Sequence, residues 1–311
     1  MDNYFILPTF WHKLIASLLL IGIGFVCGLF YFFSTADHEF VFYKLQKPEV
    51  NRTQNIITKK YLESVLAKTV YPEKSGAAEV SGLIVNHHLL ADQLIVRGLY
   101  LAATDSPITI ILLSPNHFSL GRGMITMTKK DWLTPAGYLR CDTDSVQKLA
   151  ESGIAEVDDR PFEGEHGVAN IIPFIKKLYP QAKIVPIIVK DGLNIAAGDQ
   201  LVAQLQKNLP ENSLIIASLD FSHYRTSAEA DIFDLQTLRI IQNNDYRGTA
   251  SLNKNGQPDN VDSLPTLRIM LQLMAQRNAN FVVLDHTNAD KMSGNLKSTG
   301  NTSYIVGAFY K

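Results

Sequence analysis

The run Ile108-Thr109-Ile110-Ile111-Leu112-Leu113 limits what this chain can fold into more than any other stretch. Successive side chains of a strand point to opposite faces, so a half-exposed strand alternates polar and apolar residues. Here apolar groups fall on both faces, the pattern of a strand buried within a parallel sheet. Segments 80–85 (VSGLIV), 184–189 (IVPIIV) and 213–218 (SLIIAS) read the same way, and 281–286 and 302–310 close the chain as further strands. Between them, helical spacing occurs at 89–104, 144–152, 167–179, 196–208, 228–243 and 265–276. Alternation of this kind predicts an α/β layered domain, a largely parallel central sheet flanked by helices. No glycine-rich loop follows a strand, so nucleotide binding has no support.

The beginning of the chain is different in character. Residues 14–33 carry no charge, and at 1.5 Å per residue they cover about 30 Å, the thickness of a bilayer's hydrocarbon core. The run is longer than the apolar part of a cleaved signal peptide and ends in Tyr31-Phe32-Phe33, aromatics suited to a membrane interface. The sequence therefore predicts a short leading segment (1–13), a transmembrane anchor (14–33), a stalk with a leading helix at 58–67 (34–76), and the α/β domain (77–311). Lys13 before the anchor and Asp37 and Glu39 after it favour a single-pass protein with its domain outside the cytoplasm. A net charge of −1 gives no electrostatic argument for nucleic acid. Of two cysteines, Cys27 lies in the anchor, so Cys141 has no disulfide partner within the domain.

In open α/β sheets, ligands bind beyond the carboxyl ends of the strands. Three apolar strands here each end in histidine-bearing segments: Asn86-His87-His88, Ser114-Pro115-Asn116-His117 and Leu219-Asp220-Phe221-Ser222-His223-Tyr224. A fourth segment, Glu163-Gly164-Glu165-His166, precedes the helix at 167–179. Five of the eight histidines lie in these four places. Such clustering fits imidazoles converging on a transition metal, and it fits metal-free acid–base chemistry equally well.

These segments resemble the Memo family, in order, across about residues 80–309. The family's Pro-His-Ala-Gly-Tyr stands here as Asn86-His87-His88-Leu89-Leu90, and its Gly-Pro-Asn-His as Ser114-Pro115-Asn116-His117. Its Thr-Pro-x-Gly appears as Thr134-Pro135-Ala136-Gly137, with Asp142 shortly after. Its Glu-His-Ser, leading into Pro-Phe, resembles Glu165-His166-Gly167 and Pro173-Phe174. The most specific element, Ser-x-Asp-Phe-Ser-His-Tyr, is intact at Ser218–Tyr224. The resemblance implies a fold similar to that of LigB-type extradiol dioxygenases and a site for iron, copper or zinc, with iron favoured. It implies His87 and His117 as metal ligands, with Asp220, His223 and His166 lining the same pocket as candidate acid–base groups. Memo-like proteins of bacteria and archaea often accompany an AMMECR1-like protein and a radical-SAM enzyme, which are possible functional partners.

Two departures bear on function. Where the family supplies a cysteine from a late loop, this chain reads Asn260-Val261-Asp262-Ser263. Asp262 then completes a two-histidine, one-carboxylate set suited to ferrous iron, or else it caps the helix that begins near Pro265. His88-Leu89-Leu90 replaces Ala-Gly-Tyr and alters the pocket wall. Three functions remain open: a non-haem iron or copper redox enzyme of dioxygenase type, a non-catalytic domain binding a small molecule or peptide in the same cleft, and a metal-dependent hydrolase.

Overall fold

The structure, a computed structural model, describes residues 50–53, 56–74, 79–208, 210, 212–252, 260–295 and 300–311. The anchor expected at 14–33 lies outside them, and no helix among the described residues is long and apolar enough to cross a membrane.

The strands in chain order are β1 (Asn51–Arg52), β2 (Val80–Val85), β3 (Thr109–Pro115), β4 (Ile125–Met127), β5 (Trp132–Thr134), β6 (Gly137–Cys141), β7 (Glu156–Val157), β8 (Lys183–Val189), β9 (Leu214–Ser218), β10 (Phe221–Arg225), β11 (Asn280–Asn288) and β12 (Asn301–Tyr310). The α-helices are α1 (Lys59–Lys68), α2 (Asp92–Tyr100), α3 (Thr143–Glu151), α4 (His166–Ala169), α5 (Ile172–Leu178), α6 (Ile195–Asn208), α7 (Ser227–Gln242), α8 (Leu264–Gln276) and α9 (Ala289–Ser293). The main path through the sheet runs β1-β5-β6-β8-β3-β9-β2-β12-β10, with β11 on β12 and β4 on β8.

The doubly apolar reading of β3 holds. Ile111 and Leu113 enter a core shared with α6 (Leu201, Val202, Leu205) and α8 (Leu267, Ile269). Ile110 and Leu112 enter a second core on the opposite face, with α2 (Leu94, Ile95, Leu99) and α5 (Ile172, Phe174, Ile175). Each face of the strand therefore needs its own helical layer, which is why the domain is a helix–sheet–helix sandwich.

The sheet is mixed, which corrects the expectation of a largely parallel one. β6, β8, β3, β9 and β2 are mutually parallel, but β12 is antiparallel to β2, β10 and β11, and β4 and β5 are antiparallel to β8 and β6. Connection length accounts for part of this. Parallel neighbours need a crossover of a dozen or more residues. β5 and β6, by contrast, are joined by two residues, Pro135 and Ala136, enough only for a hairpin. The helix expected over 167–179 is two short helices, α4 and α5. The break at Asn170–Ile171 precedes Pro173, which lies in the first turn of α5, where its missing N–H costs nothing. Trp132 is fully buried against Phe162 and belongs to the core.

Candidate metal centre

β2, β3 and β9 run parallel in adjacent or next-adjacent positions, so the residues just beyond their carboxyl ends meet. Beyond β2, the Asn86 amide donates to the carbonyls of His88 and Ala91 and fixes the loop that carries His87. His87 is buried; its backbone N–H donates to Asp220 Oδ1 (3.1 Å) and its carbonyl accepts from the Asn170 amide. Beyond β3, Asn116 both donates to the Leu120 carbonyl and accepts the Leu120 N–H, closing a loop that presents His117.

The hydrogen bonds settle which ring nitrogen of His87 faces the site. Ser218 Oγ lies 2.6 Å from the Gly167 carbonyl, which can only accept, so the hydroxyl proton is committed there. His87 Nδ1, 3.0 Å from the same Oγ, must then donate to it. A neutral imidazole that donates through Nδ1 bears its lone pair on Nε2. That Nε2 lies 3.3 Å from Asp262 Oδ2 and 3.6 Å from Asp220 Oδ2. A lone pair aimed at two acids is repulsive unless a metal ion, or a proton carried by Asp220, lies between them.

His117 is held by Glu165, a fully buried carboxylate that receives the His117 N–H (2.9 Å) at Oε2 and His117 Nδ1 (2.6 Å) at Oε1. Glu165 also caps α4 by accepting the Gly167 N–H. This leaves His117 Nε2 pointing at Asp262 Oδ2, 3.5 Å away. A carboxylate behind a histidine whose other nitrogen faces the site is the usual outer support of a metal ligand. His166, the first residue of α4, brings a third ring, its centroid 3.9 Å from that of His117 and 5.2 Å from that of His87. One nitrogen from each of His87, His117 and His166 falls within 4.8 Å of the others, so the three could hold a metal ion.

Electrostatics agree with the geometry. Burial, with the neighbouring histidines, drives His87 well below the usual range, and burial likewise lowers His166. Burial opposes charge on His117 too, but its bonds to Asp262 and Glu165 outweigh it and push the ring up to about 10. Burial and then the Asp262 carboxylate raise Asp220. Asp262 Oδ2 accepts the Asp220 N–H, whereas its buried Oδ1 accepts nothing among the described residues. With Asp220 raised and so holding its proton near neutral pH, the carboxylates of Asp262 and Glu165 still outnumber the one cationic imidazole, a deficit of positive charge that a divalent ion would fill.

His87, His117, Asp262, Asp220 and His166 thus converge. The capping role weighed for Asp262 belongs to Ser263, whose Oγ accepts the Thr266 N–H at the start of α8. His223 stands outside the three-histidine group. It lies within β10 rather than in a strand-end loop, and its charge is felt by both His88 and His87. His88 is exposed, with Nδ1 bonded to the Tyr304 hydroxyl (2.7 Å). Sequence reasoning gave no role to Glu165 or Ser218. Adjacency to His166 and membership of the Ser-x-Asp-Phe-Ser-His-Tyr run were the only signals for them.

Gly167 adds a local constraint. A Cβ there would lie 2.3 Å from Ser114 Oγ and 3.1 Å from His117 Cε1. The family pattern has the reverse arrangement, glycine before its Pro-Asn-His and serine after its Glu-His. One hydroxymethyl group therefore fits in this space, supplied here by Ser114. Gly167→Ser alone should destabilise the protein by about 1–3 kcal/mol through overpacking. Combining it with Ser114→Gly should restore most of that loss, and a double variant no better than the single one in thermal unfolding would refute the exchange.

The fold and site define an α/β domain with a candidate metal centre at the carboxyl ends of its inner strands. The chain belongs to the Memo family, whose sequence model, described as Memo-like protein, matches residues 52–306. It is 32% identical to a MEMO1 family protein of Nitrosopumilus maritimus over 143 residues, 45% of this chain and 51% of the relative. It is 30% identical to a MEMO1 family protein of Saccharolobus islandicus over 154 residues, 48% of this chain and 54% of the relative. A Methanopyrus kandleri member is 24% identical over 210 residues, 66% and 74% of the respective lengths. The chain spans about half the length of the first two.

Proposed function

We propose that this Memo protein is a membrane-anchored, iron-dependent redox protein whose metal is held by His87, His117 and Asp262, with His166 as a further donor. The observation that carries this reading is the fixed tautomer of His87, which aims an unprotonated Nε2 at the buried acids Asp220 and Asp262. Imidazole and carboxylate donors suit ferrous iron, and a carboxylate in place of the family's cysteine disfavours Cu(I). Bound iron would supply one-electron chemistry and open positions for dioxygen or substrate. The chain's own residues then have separate tasks. Glu165 and Ser218 orient the two ligand rings, Asp220 buttresses the His87 loop, and His223, on β10, is the residue to exchange protons with a ligand. The exposed side chains of Leu90, Phe118 and Tyr224, beside His88, His117 and His223, favour a ligand with an apolar body.

The test is elemental analysis of the full-length chain after anaerobic reconstitution with Fe(II) and gel filtration. About one iron per chain, with a carbonate-resistant membrane association, is the expected result. Absence of iron would overturn the redox reading, and zinc retained in preference would favour hydrolysis by a metal-activated water. Release of the chain from membranes by alkaline carbonate would remove the anchor from the proposal without touching the site.

A further inference from the structure

A cavity of about 520 Å³ lies apart from the histidine cluster, bounded by the start of α6, the short 3-10 turn Gly248–Ser251 and the start of α8. Its volume falls within the range of about 300–1,000 Å³ typical of small-molecule sites. Leu193, Ile195, Leu264 and Ile269 give it apolar walls. Gly198, buried on α6, keeps one wall open, since a Cβ there would only reach van der Waals contact with Ile269 (3.8 Å) and Leu193 (3.9 Å).

Charge in this cavity is sorted by wall. The acids, Asp191 and Asp199, lie on the segment leading into and through the first turns of α6; the bases, Arg247 and Arg268, lie on the two elements that face it. Arg268 is fixed in place: Nη2 is 2.9 Å from Asp199 Oδ1, Nη1 donates to Gln272 (3.0 Å), and the guanidinium lies 5.2 Å from the Tyr246 ring. Asp199 pairs with Arg268 through Oδ1, while 45% of its side chain stays exposed. Arg247 rests near the Tyr246 ring (5.6 Å), and neither Arg247 nor Asp191 forms an ion pair among the described residues.

We propose that this cavity binds a small zwitterion with an apolar body, the chemistry of a hydrophobic α-amino acid. Its ammonium group would meet Asp191 and the exposed part of Asp199, its carboxylate Arg247, and its side chain the aliphatic walls. Two acids facing two bases make the lining neutral overall. A simple anion would be repelled by the aspartates and a simple cation by the arginines, so complementarity selects a ligand that carries both charges. None of its lining residues belongs to the metal centre.

The test is calorimetric titration of the full-length chain, stripped of metal with EDTA, with L-phenylalanine, 3-phenylpropanoate and 2-phenylethylammonium. Saturable binding of L-phenylalanine, with both single-charge analogues weaker by about tenfold or more, is expected. Gly198→Met should block binding by filling the cavity. Arg247→Gln, at an exposed position, should weaken L-phenylalanine by about tenfold while leaving 2-phenylethylammonium unchanged. No heat at millimolar L-phenylalanine, equal binding of 3-phenylpropanoate, or indifference to Arg247→Gln would each overturn the proposal.

Discussion

His117→Ala should lose stoichiometric metal. Removing a carboxylate-supported ligand is expected to cost more than the roughly 10–100-fold that loss of an outer partner alone costs. The fold should survive, because Glu165 keeps two backbone donors, the N–H groups of residues 117 and 167. Metal content after gel filtration, read beside far-ultraviolet circular dichroism, distinguishes the outcomes. A folded variant that retains its metal would mean that the histidines gather for another purpose. The wild-type protein should also bind metal more weakly as pH falls. In the metal-free protein the bonds to Asp262 and Glu165, outweighing burial, hold a proton on His117 up to a pKa of about 10. Metal must displace that proton, so affinity should rise with pH throughout the neutral range. A pH-independent affinity between pH 6 and 9 would contradict the assignment of His117.

Asp234→Ala is expected to produce the largest loss of stability, about 3 kcal/mol, because it removes the hub of a buried polar network. Asp234 sits on α7 without solvent exposure. Its Oδ1 accepts the hydroxyls of Ser222 (2.6 Å) and Ser303 (2.9 Å), and its Oδ2 faces His286 Nε2 at 2.8 Å. One carboxylate thus ties α7 to β10, β11 and β12. Alanine would leave two hydroxyls and an imidazole without their acceptor, whereas Asp234→Asn should cost less because its carbonyl oxygen still accepts. Urea unfolding of the metal-stripped protein reads the difference. A loss under about 1 kcal/mol for alanine would show that solvent replaces the carboxylate, as at surface positions. β10 also carries His223, and Phe221 bridges to Val261 beside Asp262, so the alanine variant should weaken metal binding as well.

How much of this was legible beforehand varied with the range of the interaction. β2, β3, β8 and β9 announce themselves through unbroken apolar runs, a property of a few adjacent residues. The antiparallel placement of β12 depends on partners far away in the chain, which no local pattern encodes. Leu219–Tyr224 reads as a segment beyond the end of β9, yet Phe221–Arg225 forms β10 and pairs with β12 through two irregularities in register. At the site, His87, His117 and Asp220 follow from the rule that strands deliver ligands at their carboxyl ends. Asp262 follows only from the family pattern. Glu165 stands 48 positions from His117 in sequence and meets it through the placement of α4, so its role was visible only in three dimensions. The exchange between Ser114 and Gly167 is the same lesson in miniature. Each departure from the family looks arbitrary alone, and together they conserve one filled space.

β12 pairs with β2 along one side and with β11 along nearly its whole length on the other, while its first residues also hold β10. The strand next to His87 is therefore bordered by residues made last among those described. On a ribosome, β2 must wait for Asn301–Tyr310 to emerge before that edge can close, with the long-range pairing that slows folding. Until then the edge of β2 beside His87 stays unpaired, and the half-made site is open to solvent and to chaperones.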